Sequence, residues 1–260
     1  MGASFPCVTS SIRRAQIVSS LRTKGAASVR ELAETLQVSE STIRRDLDVL
    51  DRNGELVRTY GGAALSPQSA VPEISFAASA EVDSAGKDAV AERAAELVED
   101  DMVVVLDIGT STRLIARRLR GRPVTVITAN LAVFDELRDD EAVRLCLLGG
   151  VVRRNYLSLV GSLTEAAFRQ VSADLVFLSC TGVRPNGHVV DDMEVETLNK
   201  QAMIEAGDRV VLVASEAKFP GTGSLRVCSL DRIDTLVTTA GADPQTLELC
   251  RQAGGKVIIA

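Results

Sequence analysis

Asp107-Ile108-Gly109-Thr110-Ser111-Thr112 is the stretch whose residue types best suit an anion. It follows the apolar run Met102–Leu106 and precedes a helical pattern. Its N–H groups therefore stand at a helix start, where no intrahelical acceptor takes them. Gly109 lets backbone approach a ligand, and Thr110, Ser111 and Thr112 add three hydroxyls, which makes a phosphate cradle in chemical terms. The same residues also make an ordinary Ser/Thr helix cap, and no Gly-Lys-Ser/Thr follows, which excludes a P-loop. Thr128 and Asn130 end a second apolar run, and Gly149-Gly150 end a third. Parallel strands would set these ends side by side, offering Thr128 and Asn130 to sugar hydroxyls and Gly149-Gly150 to close backbone contact. Lysine is scarce, with five in 260 residues. Lys218, just beyond the run Arg209–Ala214, is in place to reach a phosphate or hydroxyl. Lys200 follows Glu196 by four residues on a helix, which suits a ligand contact or simply a surface ion pair. Arg153, Arg154 and Asp191-Asp192 fit either a ligand or water. His188 has no Ser or Cys at a recognised catalytic spacing and is assigned to a loop.

A second constellation lies at Val38–Arg58. Ser39 is placed to N-cap a helix, with Val38 before it and Ile43 after it as a hydrophobic staple. Ile43, Leu47 and Leu50 recur at helical spacing and face inward. Ser41, Thr42, Arg44, Arg45 and Asp48 then point outward. Small hydroxyls followed by two arginines suit base edges and phosphates in a DNA major groove. An amphipathic helix with a solvated arginine face has the same composition, so its neighbours must decide.

Those neighbours are a helix at Ser11–Thr23, with Ile12, Ile17, Val18 and Leu21 on one side, ended by Lys24-Gly25. Ser28-Val29-Arg30-Glu31 is a capping-box pattern that opens a helix through Leu36. After the Arg-bearing helix, Asn53-Gly54 stops the pattern. Leu56–Tyr60 and Ala63–Leu65 then flank Gly61-Gly62 as a hairpin carrying Arg58. Two short helices, a tight turn, an Arg-bearing helix and a hairpin make a winged helix-turn-helix, expected over residues 10–65 behind a loose tail, Met1–Thr9. Residues 66–79, with Pro67 and Pro72 among small and polar residues, are expected to be a linker.

From residue 80 to 260 the pattern alternates. Strands are expected near Met102–Leu106, Val124–Ile127, Val143–Leu148, Leu175–Ser179, Arg209–Ala214, Thr235–Thr238 and Val257–Ile259. Helices are expected near Lys87–Glu99, Thr112–Arg120, Leu131–Leu137, Thr164–Gln170, Glu194–Ala206 and Pro244–Ala253. Such alternation implies an α/β domain with a largely parallel sheet. In such sheets ligands sit beyond the carboxyl ends of strands, where the Asp107–Thr112 stretch lies.

Charge divides along the same boundary. Residues 1–62 hold nine basic and seven acidic side chains, and the remainder holds twenty and twenty-eight, within a total of −6. A mildly basic head on an acidic body suits a nucleic-acid partner for the head alone. Five scattered cysteines without a CxxC pair, and a single histidine, argue against a zinc site or a disulfide framework. No cofactor is expected. No apolar stretch spans a bilayer and no signal-peptide pattern opens the chain, so no membrane partner and a cytoplasmic location are expected.

The run Glu31-Leu32-Ala33, Val38-Ser39, Thr42-Ile43-Arg44-Arg45-Asp46-Leu47, Gly54, Arg58 and Gly61-Gly62-Ala63 resembles the N-terminal signature of the DeoR family of bacterial transcriptional regulators. The later residues Asp107, Gly109-Thr110, Thr112, Thr128, Asn130, Gly149-Gly150, Arg153, Gly161, Gly182, Gly187, Glu196, Lys200 and Lys218-Phe219 resemble that family's sensor domain. The resemblance implies a fold similar to ribose-5-phosphate isomerase and a phosphorylated sugar or polyol as effector. Two departures stand out. Ser111 replaces a usual Thr, and Ser215-Glu216-Ala217 stands where an Asp and a Ser commonly precede the Lys.

The expected protein is therefore a regulator, most simply a repressor of carbohydrate-metabolism genes. It would bind double-stranded operator DNA through Ser39, Ser41, Thr42, Arg44, Arg45 and Arg58, as a homodimer or homotetramer. Its effector would meet Asp107, Gly109, Thr110, Ser111, Thr112, Thr128, Asn130, Gly149, Gly150, Glu196, Lys200 and Lys218. The rival is a sugar-phosphate isomerase with an accessory head. It needs a carboxylate base, and nothing in the sequence places Asp107, Asp191 or Glu196 as one.

Overall fold

Ser28 begins the ordered logic of the head. In a computed structural model, which describes residues 10–24, 26–52, 56–64 and 74–260, its side chain accepts from the backbone N–H of Glu31. Its own N–H donates to Glu31 Oε2 at 2.8 Å, the reciprocal cap expected. Helices α1 (Ser10–Lys24), α2 (Val29–Leu36) and α3 (Glu40–Arg52) enclose a core of Ile17, Leu21, Leu32, Ile43, Leu47 and Leu50. Ile12, expected inside, is exposed. Strands β1 (Ala26–Ser28), β2 (Val57–Thr59) and β3 (Gly62–Ala64) form an antiparallel sheet in the order β1-β3-β2. The wing is thus three-stranded, not a simple hairpin. A side chain on Gly62 would collide with the backbone of Ala27 and Ser28, so only glycine permits the β1–β3 approach.

Helix α4 (Phe76–Glu81) corrects the expectation of a linker through residue 79. Ser75 caps it by accepting from Ala78 N at 3.2 Å, and Phe76 is buried. One cap and one aromatic anchor suffice for a short helix packed on α1. The tail Met1–Thr9, Gly25, Asn53-Gly54 and residues 65–73 lie outside the described residues.

The chain divides into two units between Val82 and Asp83. The second unit comprises, in order, α5 (Ser84–Ala95), β4 (Val103–Leu106), α6 (Thr110–Leu119), β5 (Thr125–Thr128), α7 (Leu131–Leu137) and β6 (Arg144–Leu147). Next come the hairpin β7 (Val151–Arg153) and β8 (Ser158–Val160), α8 (Ser162–Phe168), β9 (Ala173–Leu178), β10 (Gly182–Val183) and β11 (His188–Asp191). It ends with α9 (Glu194–Ala206), β12 (Gly207–Val213), β13 (Leu225–Ser229), β14 (Thr235–Thr238), α10 (Pro244–Gln252) and β15 (Lys256–Ile259).

All seven expected strands form, in one parallel sheet of order β15-β14-β12-β9-β4-β5-β6. Val104, Val105, Leu106, Val176, Phe177 and Leu212 are sealed on both faces, as central parallel strands require. Helices α5, α6 and α7 cover one face, while α8, α9 and α10 pack on the other. From β4 the order runs outward to β5 and β6, then restarts at β9 on β4's other side. The carboxyl ends of β4 and β9 therefore flank a topological switch point, where open α/β sheets bind ligands. The β7–β8 hairpin and the small antiparallel sheet β10-β11-β13 were not legible as strands. His188, assigned to a loop from the sequence, opens β11. No helix among the described residues is long and apolar enough to cross a membrane.

Candidate functional sites

The exposed face of α3 is built by its N-terminus. Ser39 Oγ accepts from Thr42 N at 3.2 Å and lies 2.9 Å from both Ser41 Oγ and Thr42 Oγ1. Ser39 is therefore committed to capping, with its hydroxyl shared by the two residues expected to face DNA. Arg44 reaches back to Glu40 Oε2 at 2.7 Å. Arg45 is exposed and has no ion-pair partner among the described residues. Arg58 is held by Asp48 on α3, and its N–H donates to Asp51 Oδ1 at 3.3 Å. The pairing ties wing to helix, a role the sequence had not suggested for Arg58. Asp46, overlooked between Arg45 and Leu47, is buried and receives Arg13 Nε at 2.6 Å and Arg14 Nε at 3.1 Å from α1. Tyr60, at the wing's turn, is fully exposed.

The second site lies at the switch point. Asp107, immediately after β4, is inaccessible to solvent. Its Oδ2 accepts from Ser179 N and Ser179 Oγ, both at 2.8 Å, just after β9. Lys200, from α9, forms an ion pair with the same oxygen. It also donates to Ser179 O at 3.0 Å and lies 3.6 Å from Asp191 Oδ2. Burial disfavours its charge, but Asp107 and Asp191 more than offset this, so Lys200 stays protonated well above the ordinary lysine range. Asp191 is fixed in turn by Thr181 Oγ1 at 3.2 Å and Asp192 N at 2.8 Å.

These contacts overturn two readings. Lys200 is not a surface partner of Glu196; it is 1% exposed and bound to Asp107. Asp191 is not in a solvated loop but ends β11, largely buried. Glu196 instead pairs with Arg153 from β7 and accepts from Ser158 Oγ at 2.7 Å through Oε1, while its buried Oε2 has no hydrogen-bond partner among the described residues. Burial raises its carboxyl above the usual range, with Arg153 opposing.

Thr112, expected in the phosphate cradle, and Thr128 and Asn130, expected at sugar hydroxyls, are buried and occupied by the protein. Thr112 Oγ1 donates to Asp107 O at 2.7 Å, and Thr128 Oγ1 to Leu106 O at 2.7 Å. Asn130 caps α7 through Oδ1, accepting from Ala132 N at 2.9 Å, and its amide nitrogen donates to Gly109 O at 3.2 Å. The ends of the parallel strands β4 and β5 are adjacent, and these side chains brace the Leu106–Gly109 backbone. Gly109, at φ 114°, starts α6. Thr110 and Ser111 keep hydroxyls without partners among the described residues. Gly150 makes room for Thr164 and Val160 rather than for a ligand, while Gly149 is exposed, its carbonyl held by Thr164 Oγ1 at 2.8 Å.

Lys218 stands half-buried in the turn after β12, without a carboxylate partner among the described residues. Lys87, which sequence reasoning passed over as one polar residue of an amphipathic helix, is buried on α5. Burial first and Lys218 second push it down to about 8, with Asp83 acting in the opposite direction. The two lysines therefore lie within electrostatic reach of one another. Cys180, beside Ser179, is a buried thiol pushed up to about 12 by burial; it is packing, not a nucleophile.

Residues 13–69 match the DeoR-like helix-turn-helix domain and residues 82–240 the DeoR C-terminal sensor domain. Over 250 residues, 95% of this chain and 93% of its relative, the sequence is 32% identical to a protein provisionally named as an aga operon transcriptional repressor in Escherichia coli O157:H7. It is 30% identical to the lactose phosphotransferase system repressor of Lactococcus lactis, covering 91% and 93% of the two chains. It is also 30% identical to the glycerol-3-phosphate regulon repressor of E. coli K12, covering 86% and 88%. A ribose 5-phosphate isomerase from Methanocaldococcus jannaschii overlaps 51% of the chain and 52% of its own, at 19% identity and a TM-score of 0.38. With the head and sensor each matched in place, the chain belongs to the DeoR family of transcriptional regulators.

Proposed function

We propose that this regulator represses carbohydrate-metabolism genes by binding operator DNA through α3 and the wing. A phosphorylated sugar or polyol in the switch-point crevice of the second unit would release it. The observation that carries the effector reading is Lys218, which is half-buried with no ion-pair partner among the described residues and has Lys87 within its electrostatic reach. Like charges brought together in a partly desolvated place raise each other's cost unless an anion is received there. The open hydroxyls of Thr110 and Ser111 and the free N–H groups at the start of α6 add donors along the same sheet edge. Relatives named for sugar or glycerol-phosphate regulons support the chemical class. On this reading Thr112, Thr128, Asn130, Lys200 and Asp107 shape the crevice, and Thr110, Ser111, Gly109, Gly149 and Lys218 face the effector.

At the head, Arg45 with Ser41 and Thr42 would read base edges. Arg44 and Arg58 would exchange Glu40 and Asp48 for phosphates, and Ser39 would hold the cap. One head reads one half-site, so the working form is a symmetric homodimer or a homotetramer built from it. Operator DNA places the protein in the cytoplasm. The crevice binds without catalysing. Asp107 and Asp191 are held by Lys200, Ser179 and Thr181, and Glu196 by Arg153 and Ser158, which leaves proton transfer without a mobile base. A coupling of roughly 1–3 kcal/mol between effector and DNA suffices for release.

A thermal-shift screen with glycerol 3-phosphate, glucose 6-phosphate, fructose 6-phosphate and their unphosphorylated parents tests the class. A phosphate-dependent rise in melting temperature is expected by mass action. Equal response to the parent sugars would reject it, and ketose formed from ribose 5-phosphate above background would restore the enzyme.

A further inference from the structure

Asp83 is the first residue of the second unit and stands at its covalent junction with Val82. Its backbone is left-handed, φ 49°, a conformation uncommon for a residue bearing a side chain, which aspartate enters with the help of local hydrogen bonds. The holding contacts are specific. Ser215 Oγ donates to Asp83 Oδ2 across 132 positions of sequence. The Asp83 carbonyl accepts from Lys87 N at 3.0 Å. Gly86 leaves the space the carboxylate occupies, since a β-carbon there would overlap it.

Ser215 opens the turn Glu216–Lys218. The turn's other side is anchored as well. Glu216 N donates to Thr239 Oγ1 at 2.9 Å, and Glu216 Oε2 accepts from Gly241 N at 2.8 Å. Lys218 is thus carried on a turn with two attachments, one of which leads to the junction. Ser215 lies in the stretch Ser215-Glu216-Ala217 that departs from the family pattern. An aspartate at 215 would set one carboxylate against another, whereas the Ser215 hydroxyl donates to Asp83.

We infer that Asp83 is a positioning residue that acts through Ser215, coupling the anion-facing Lys218 turn to the chain at Val82. An anion received at Lys218 shifts the turn and with it the Ser215 contact. When that contact changes, the left-handed backbone of Asp83 loses what holds it, and the junction relaxes to an ordinary conformation. This supplies the two-arrangement element that an allosteric switch needs. The inference rests on the reading that a phosphate engages Lys218.

The test is amide exchange by mass spectrometry on the full chain, with and without glycerol 3-phosphate, glucose 6-phosphate or fructose 6-phosphate. In the wild type, at least one phosphate is expected to change exchange both at residues 216–219 and at residues 82–87. Ser215→Ala should keep the first change and lose the second. Asp83→Ala should do the same, and Asp83→Asn, which tolerates the left-handed region and can still accept from Ser215, should restore it. A merely structural role would shift the melting temperature without separating the two segments. Retention of the junction response in Ser215→Ala overturns the inference, and that variant carries the test alone should Asp83→Ala not fold. Lys218→Met isolates the underlying reading. If it leaves the response at residues 216–219 intact, or if no phosphate affects the wild type there, the phosphate reading itself fails.

Discussion

Lys200 and Asp107, ninety-three positions apart, meet as a buried ion pair beneath the switch point, with side chains 1% and 0% exposed. Removing one partner leaves the other charged and desolvated. Lys200→Met should therefore cost roughly 3–5 kcal/mol of stability. The double variant Lys200→Met/Asp107→Asn should recover part of that loss. Urea unfolding of both variants checks this. A single variant as stable as the wild type would show that the pair bears no load.

Arg45 is exposed on α3 without an ion-pair partner among the described residues, whereas Arg44 and Arg58 start from Glu40 and Asp48. Arg45→Ala should weaken operator binding by about 1–3 kcal/mol, in the range of one good base contact. Effector affinity should stay unchanged. Gel shifts on an operator selected from random DNA measure this, and undiminished affinity would move the reading surface elsewhere.

The Asp46 carboxylate joins α3 to α1 through Arg13 and Arg14. Asp46→Ala should unfold the head before the second unit, with a loss of about 2 kcal/mol from two unpaired charge-assisted bonds. Two-transition calorimetry of the full chain would reveal it, and coincident melting identical to the wild type would argue against it.

Lys87 carries a pH signature. Its folded-state value is lowered from 10.5 to about 8, chiefly by burial and then by Lys218. Between those values the unfolded chain binds more protons, so this group's contribution to stability rises with pH. The penalty for burying its charge is complete below about 8 and fades toward 10.5. Lys87→Met should accordingly stabilise the second unit most at neutral pH, the advantage narrowing as the pH approaches 10.5. A constant advantage across that window would mean that Lys87 does not titrate there.

Much of this was legible because it is local. The capping box at Ser28 and Glu31, the inward stripe Ile43, Leu47 and Leu50, and the apolar runs of the seven parallel strands are each written within a few consecutive residues. The passage from β4 into α6 across Asp107–Thr112 was legible for the same reason. What stayed hidden depends on partners far away in sequence. Lys200 at four residues from Glu196 has the spacing of a surface pair, and only the return of β4 and β9 to one edge gives it Asp107 instead. Thr128 and Asn130 lie at strand ends as expected, yet Thr128 Oγ1 is turned to the backbone of β4, and Asn130 divides its amide between the start of α7 and the Gly109 carbonyl. The burial of Lys87 on α5 and the reach of Asp46 to Arg13 and Arg14 on α1 likewise depend on elements distant in sequence. Two-residue and three-residue strands such as β10 and β1 are too short to carry any period.

The wing described above is fastened at both edges. β3 pairs with β2 on one side and with β1 on the other, where Gly62 rests on Ala27 and Val29 N donates to Gly61 O at 2.9 Å. β1 runs directly into the cap of α2, and Arg58 binds Asp48 on α3. Wing and α3 are therefore fastened to each other as one unit. On the proposed reading of two half-sites by two copies of the head, the quantity left for an effector to change would be the spacing between the heads rather than the shape of either one.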